Sequence, residues 1–154
     1  MSPRVTSSVR RAIRAQADGI CEYCHATEQW QYVSFTIDHI IPPRSGGTHA
    51  PDNLSLACFH CNRQKGERIA AVDPDSGVEA HLFNPRQQSW PEHFIWSPDK
   101  LMIVGLTPVG RATVETLRLN RERIISIRAA DLIINRHPPA GDPVQKDDNY
   151  SHSK

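Results

Sequence analysis

No apolar run in the 154-residue chain approaches the roughly 20 residues needed to cross a bilayer, which argues against a membrane helix. Residues 1–20 are basic and lack the apolar stretch of a secretory signal, so the sequence reads as cytoplasmic. Charge of one sign is missing too: the net charge is only +1, so the total gives no support to a polyanionic partner. No internal repeat is visible, which leaves solenoids and arrays aside. With 38% hydrophobic residues and a mean hydropathy of −0.50, the chain reads as a soluble globular protein of one-domain length.

What charge there is sits unevenly. Arg4, Arg10, Arg11 and Arg14 crowd the first helical segment, and Arg111, Arg118, Arg121, Arg123 and Arg128 stud the last. Acidic residues gather in turns and near the end, at Asp73, Asp75, Asp142, Asp147 and Asp148. A local basic surface can hold phosphates at near-zero total charge. The ordinary reading of such arginines is a solvated helix face.

Residues 6–17 have helical composition, with Val9, Ile13 and Ala17 at helical spacing and Asp18-Gly19 as the stop. Residues 32–37 alternate and are rich in β-formers, and 54–57 form a short strand candidate. A helix is expected over 62–71, a turn over 73–77, and a β-hairpin from 94–96 and 101–106. Thr107-Pro108 is a good helix start, and that helix is expected to run unbroken to about Ile134. Residues 137–154, with four prolines or glycines near their start, read as a mobile tail.

Cysteine is scarce but ordered. The four fall as two C-x2-C pairs, Cys21/Cys24 and Cys58/Cys61. In a reducing compartment this spacing suits a metal better than a disulfide framework, and the plain alternative is a set of buried or redox thiols. Four thiolates complete a tetrahedral zinc shell and leave no open position, so such a zinc is structural. It would clamp residues 25–57 into a closed loop, with His25 and His60 as lesser ligand candidates.

Inside that loop lie Asp38, His39 and Asn53, and just after it come Asn62 and Lys65. His39 has the chemistry of a general base near neutral pH. Asp38 is a hard oxygen ligand for a cation such as Mg²⁺, and Asn62 can add an amide oxygen. Asn53 can orient the His39 imidazole, by its side chain or across the loop. Lys65, three residues after Asn62, shares its helix face and is placed to touch a phosphate, as more weakly are Arg44 and Arg63. Taken singly these residues are capping, turn or surface groups; Asn62 alone reads as a helix N-cap. Neighbours on a strand point to opposite faces, so Asp38 and His39 share a site only if the chain bends.

Taken together, Cys21-Glu22-Tyr23-Cys24, Asp38-His39-Ile40-Ile41-Pro42, Ser45-Gly46-Gly47, Asp52-Asn53-Leu54 and residues 56–65 resemble the zinc-knuckle branch of the HNH endonuclease family. The resemblance covers about residues 20–70 and implies an α+β protein with a ββα-metal core gripping one catalytic divalent cation. It implies His39 as general base, Asn53 as the middle asparagine, and Asp38 and Asn62 as cation ligands. The family's third letter is often histidine; here Asn62 stands in that place, which favours Mg²⁺ or Mn²⁺ over Zn²⁺. The expected organisation is a nuclease domain over 1–72, a hairpin-and-helix extension packed on it over 73–136, and a tail over 137–154. The expected activity is hydrolysis of DNA, taken as duplex, with no membrane partner and an open oligomeric state. Two rival readings stand beside it: a non-catalytic zinc-stabilised module that binds nucleic acid, and an RNA-directed nuclease with the same centre.

Overall fold

The computed structural model describes residues 5–147. Arg4, Asp148 and the last residues of the expected tail lie outside the described residues. The first helix, α1 (Ser7–Gln16), is capped by Thr6, whose hydroxyl accepts from the Val9 amide, and it buries Ile13. It stops where Asp18 and Gly19 turn to positive φ, 54° and 67°. Arg14 does not face solvent freely, since its guanidinium donates to the Phe35 carbonyl at 2.8 Å and pairs with Glu28.

Strands β1 (Thr36–His39) and β2 (Leu54–Ala57) pair antiparallel, with Thr36 opposite Ala57 and His39 opposite Leu54. The second matches the expected strand; the first begins later than the alternating run and reaches His39. β2 is buried throughout because both its faces are covered, one by α1 and the other by the helix that follows. That helix, α2 (Phe59–Lys65), starts at Cys58, whose sulfur accepts from the Cys61 amide. It ends at Gly66, where φ is +54° and ψ −129°, a conformation that suits glycine. The helix expected over 62–71 is therefore shorter and earlier. Residues beyond it form β3 (Ala70–Val72), paired with β4 (Glu79–His81) around the expected 73–77 turn.

The turn is held by Asp73, whose carboxylate accepts from the Asp75 amide, the Ser76 hydroxyl and both forks of Arg111. The expected boundary at 72/73 falls in this tight turn, and one hydrophobic core joins Ile13, Tyr23 and Leu56 to Phe83, Trp90, Phe94 and Trp96. A short helix, α3 (Trp90–His93), leads into the expected hairpin, β5 (Phe94–Trp96) and β6 (Ile103–Gly105).

The expected long helix is two: α4 (Pro108–Leu117) and α5 (Glu122–Ile133), broken at Arg118 with φ +50°. The break has a tertiary cause. Asn120 exchanges two hydrogen bonds with the Ile103 backbone, at 2.7 and 2.8 Å, which a continuous helix could not offer. Arg128, expected on a basic surface, is instead buried. It donates to the Leu119 and Leu101 carbonyls and lies 4.9 Å from the Trp96 ring centre. Burial pushes its pKa down to about 10.

The start of the expected tail is also docked. The Trp96 amide donates to the Pro143 carbonyl, and the Gln145 amide returns to the Trp96 carbonyl. Asp142 accepts from the Trp96 indole at 2.9 Å and meets His25 Nδ1 at 2.7 Å. Residues 143–145 thus lie against β5 at Trp96, whose free backbone groups they satisfy. No helix among the described residues is long and apolar enough to cross a membrane.

Candidate active site

The two knuckles bring all four cysteines together at the end of β2. Their sulfurs lie within 4.8 Å of one another, all four residues are buried, and Cys24 Sγ and Cys58 Sγ are 3.7 Å apart. Tetrahedral zinc with Zn–S bonds of about 2.3 Å separates its sulfurs by about 3.8 Å, so the cluster fits that ion. Burial pushes the Cys21 thiol up, while hydrogen bonds from the neighbouring thiols hold Cys24 well below the usual range. A bound cation is what allows such a crowded set to ionise together. His25 and His60 are turned elsewhere: His25 stacks on Trp90, and His60 Nε2 lies 3.0 Å from the Leu117 carbonyl.

Strand β1 carries Asp38 inward, only 3% exposed, against α2 and the first knuckle. The Tyr23 hydroxyl donates to Asp38 Oδ2 at 2.9 Å, and Lys65 Nζ lies 3.1 Å from the same oxygen. Asn62 Nδ2 reaches Asp38 Oδ1 at 3.3 Å. Burial pushes the carboxyl up from its ordinary value, and the Lys65 ammonium opposes that.

His39, the next residue, ends the strand and is half-buried. Its Nε2 lies 2.8 Å from His49 Nδ1, with the rings edge-on at 4.9 Å. Partial burial, and then the neighbouring His49, push the His39 pKa below its ordinary value. Asp38 and His39 are neighbours on β1, and Lys65 ties them together. Its ammonium donates both to Asp38 and, at 2.9 Å, to the His39 carbonyl.

Asn53 does not touch the imidazole. Its amide accepts from the Ile41 amide and donates to the Ile41 and Thr48 carbonyls, all within 2.9 Å. With the Ile40 amide bonded to the Asn53 carbonyl, it closes the loop between the strands. Gly47 is needed inside that loop, because a Cβ there would overlap the Ile41 carbonyl. By holding the Thr48 carbonyl in place, Asn53 sets the position of His49, the next residue.

Lys65 is the clearest correction. The sequence offers it as a phosphate contact near the cation or a solvated surface lysine, and it is 1% exposed and bound to Asp38. Asn62 and Lys65 do share a helix face, but that face is turned to β1 rather than to solvent. Arg44 and Arg63 are exposed as expected, Arg44 in a surface pair with Glu67. Two residues went unread. Tyr23 lies between the first two cysteines, where a phenol so close to a metal knuckle was the available signal. His49 carries no pattern in the sequence; only loop closure brings it to His39.

Residues 21–68 match the HNH endonuclease family. The match covers under a third of the chain and takes in both knuckles, β1, β2, α2 and the loop closed by Asn53. Two antiparallel strands followed by a helix, beside a four-cysteine metal cluster, agree with the HNH ββα-metal fold. No curated protein matches the chain. The matched segment thus contains the Asp38–Asn62 and His39–His49 pairs.

Proposed function

We propose that the protein is an endonuclease that hydrolyses DNA phosphodiester bonds, with His39 as general base. The observation that carries this reading is the pairing at the end of β1. A carboxylate and an amide stand 3.3 Å apart, and a half-buried imidazole depressed in pKa follows at the next residue.

His39 Nε2 is engaged by His49, so Nδ1 is the nitrogen left to take a proton from water. That requires the Nε2 proton to point at His49 Nδ1, which fixes the tautomer. The depressed pKa keeps the imidazole neutral at neutral pH, the form a base needs. Lys65 opposes the upward push of burial on Asp38 and holds the strand at His39 through its carbonyl.

Asp38 and Asn62 would hold a divalent cation. A half-turn of the Asn62 amide exchanges its nitrogen for an oxygen at the same place, and a carboxylate with an amide oxygen is a donor set for Mg²⁺ or Mn²⁺. Such a cation supplies charge stabilisation at the scissile phosphate. Arg63 and Arg44, both exposed near this site, would meet flanking phosphates. The four cysteines would hold a structural zinc.

Nicking of supercoiled plasmid tests the reading. Wild-type protein with Mg²⁺ or Mn²⁺ is expected to nick, and His39→Ala and Asp38→Ala are expected not to. A wild type no more active than His39→Ala overturns it. One observation favours a second reading, a zinc-stabilised nucleic-acid-binding module without catalysis: Asp38 is already neutralised by Lys65 and capped by Tyr23. That reading expects DNA binding with no metal-dependent nicking.

A further inference from the structure

Beside the catalytic pairs, at the N-terminal end of α2, a groove of about 420 Å³ opens between the segment before β1 and α5. Its walls carry aromatic rings left in water. Trp30 and Phe59 are 42% and 54% exposed, and Tyr32 is fully exposed. Large exposed apolar groups clustered on one face mark an interaction surface.

The charge around those rings identifies the partner. Arg121, Arg123 and Arg136 line the groove against one carboxylate, Asp131. The Arg136 guanidinium already lies 3.8 Å above the Trp30 ring, and Arg121 Nη1 is shielded from solvent without a hydrogen-bond partner. Rings and guanidinium planes stack on bases, and guanidinium groups pair with phosphates. An unpaired strand offers both; in a duplex the base faces are hidden in the stack. An apolar protein surface would use the rings but would leave three cations poorly matched.

Helix α2 links the groove to the Asp38–Asn62 pair. Phe59, Asn62 and Arg63 stand at i, i+3 and i+4 and so share a face. About one helical turn, 5.4 Å, separates them.

We propose that this groove binds an unpaired DNA strand, with Tyr32 and Phe59 stacking bases and Arg121, Arg123 and Arg136 holding phosphates. The placement of the cut beside it rests on the nuclease reading; the binding does not.

Fluorescence anisotropy of the full-length protein tests this, using labelled oligo(dT) and a blunt duplex of equal length without added Mg²⁺ or Mn²⁺. Oligo(dT) is expected to bind more tightly. The double variant Tyr32→Ala/Phe59→Ala, which leaves the charge unchanged, is expected to weaken oligo(dT) at least about tenfold and the duplex far less. Arg123→Ala is expected to flatten the salt dependence of oligo(dT) binding. The single variant Tyr32→Ala, at a fully exposed side chain, serves if the double variant fails to fold, with a loss of about fivefold expected. Unchanged oligo(dT) affinity in the folded variants, or equal wild-type affinity for the two DNAs, overturns the proposal. So does a wild-type dimer in sedimentation that the double variant dissolves, because the groove is then a self-interface. Plasmid nicking separates the two readings: a wild type that fails to nick sinks the nuclease and leaves the oligo(dT) result standing.

Discussion

The cysteine cluster and the Asp38–His39 region lie on the same short stretch of strand and helix, yet they are built in opposite ways. At the cluster four like donors converge, a set that a bound cation completes. At Asp38 the chain has balanced the charge itself: the carboxylate has a lysine, a phenol and an amide around it. A site that is incomplete without its metal is a folding site, because binding energy becomes folding energy. A site already neutral in the resting protein can stay folded while it waits for substrate and cation. On the proposed reading the zinc region governs stability, and the Asp38–His39 region governs activity.

The largest expected effect separates them at once. Cys58→Ser, or a strong chelator, removes a zinc contribution on the order of 10 kcal/mol, comparable with the whole stability of a small domain. Loss of the cooperative thermal transition by circular dichroism checks this, and a chelated protein that melts unchanged breaks the comparison. Next, His39→Ala is expected to lower plasmid nicking by about 10²–10⁴-fold while the melting temperature stays within a few degrees.

Lys65→Met, in the Asp38–His39 region, is expected to touch both stability and activity and sharpens the contrast. It strands a buried carboxylate and is expected to cost about 3–5 kcal/mol in urea unfolding. Adding Asp38→Asn is expected to restore much of that stability but none of the activity. A double variant no more stable than Lys65→Met alone would show that the pair is not the reason for the loss.

The smallest effect concerns His49. A base works when deprotonated, so activity falls as pH drops through the His39 pKa, and partial burial with His49 beside it places that fall below the ordinary histidine value. His49→Gln keeps an acceptor for Nε2 but removes the second imidazole. The acid limb of the pH profile is expected to move upward, with a rate loss of a few-fold at neutral pH. A limb that stays in place means His49 does not act on His39.

Much of this was legible locally. The Thr6 cap, the Asp18-Gly19 stop, the 54–57 strand and the 94–105 hairpin follow from propensity and turn chemistry within a few residues. The long helix was misread because its break depends on Asn120 meeting Ile103, far away in sequence. The start of the tail was misread for the same reason: Asp142 and Pro143 find their partners on Trp96. Of the candidate site, Asp38, His39, Asn53 and Asn62 were visible as an ordered set, but their division of labour was not. Asn53 holds a loop, and Lys65 holds a carboxylate.

The sequence by itself determined which chemistry is present: four thiols at metal spacing, and a carboxylate, an imidazole and two amides in order between and after them. It also determined the short elements whose signals are local. Tertiary structure alone decided which groups meet. Whether a lysine reaches solvent or a buried aspartate, and whether a loop histidine finds a second imidazole, depends on contacts between residues distant in sequence. Such contacts exist only once loops are closed and faces are covered, because the free energy of burial and pairing belongs to the assembled neighbourhood and to no single stretch of chain.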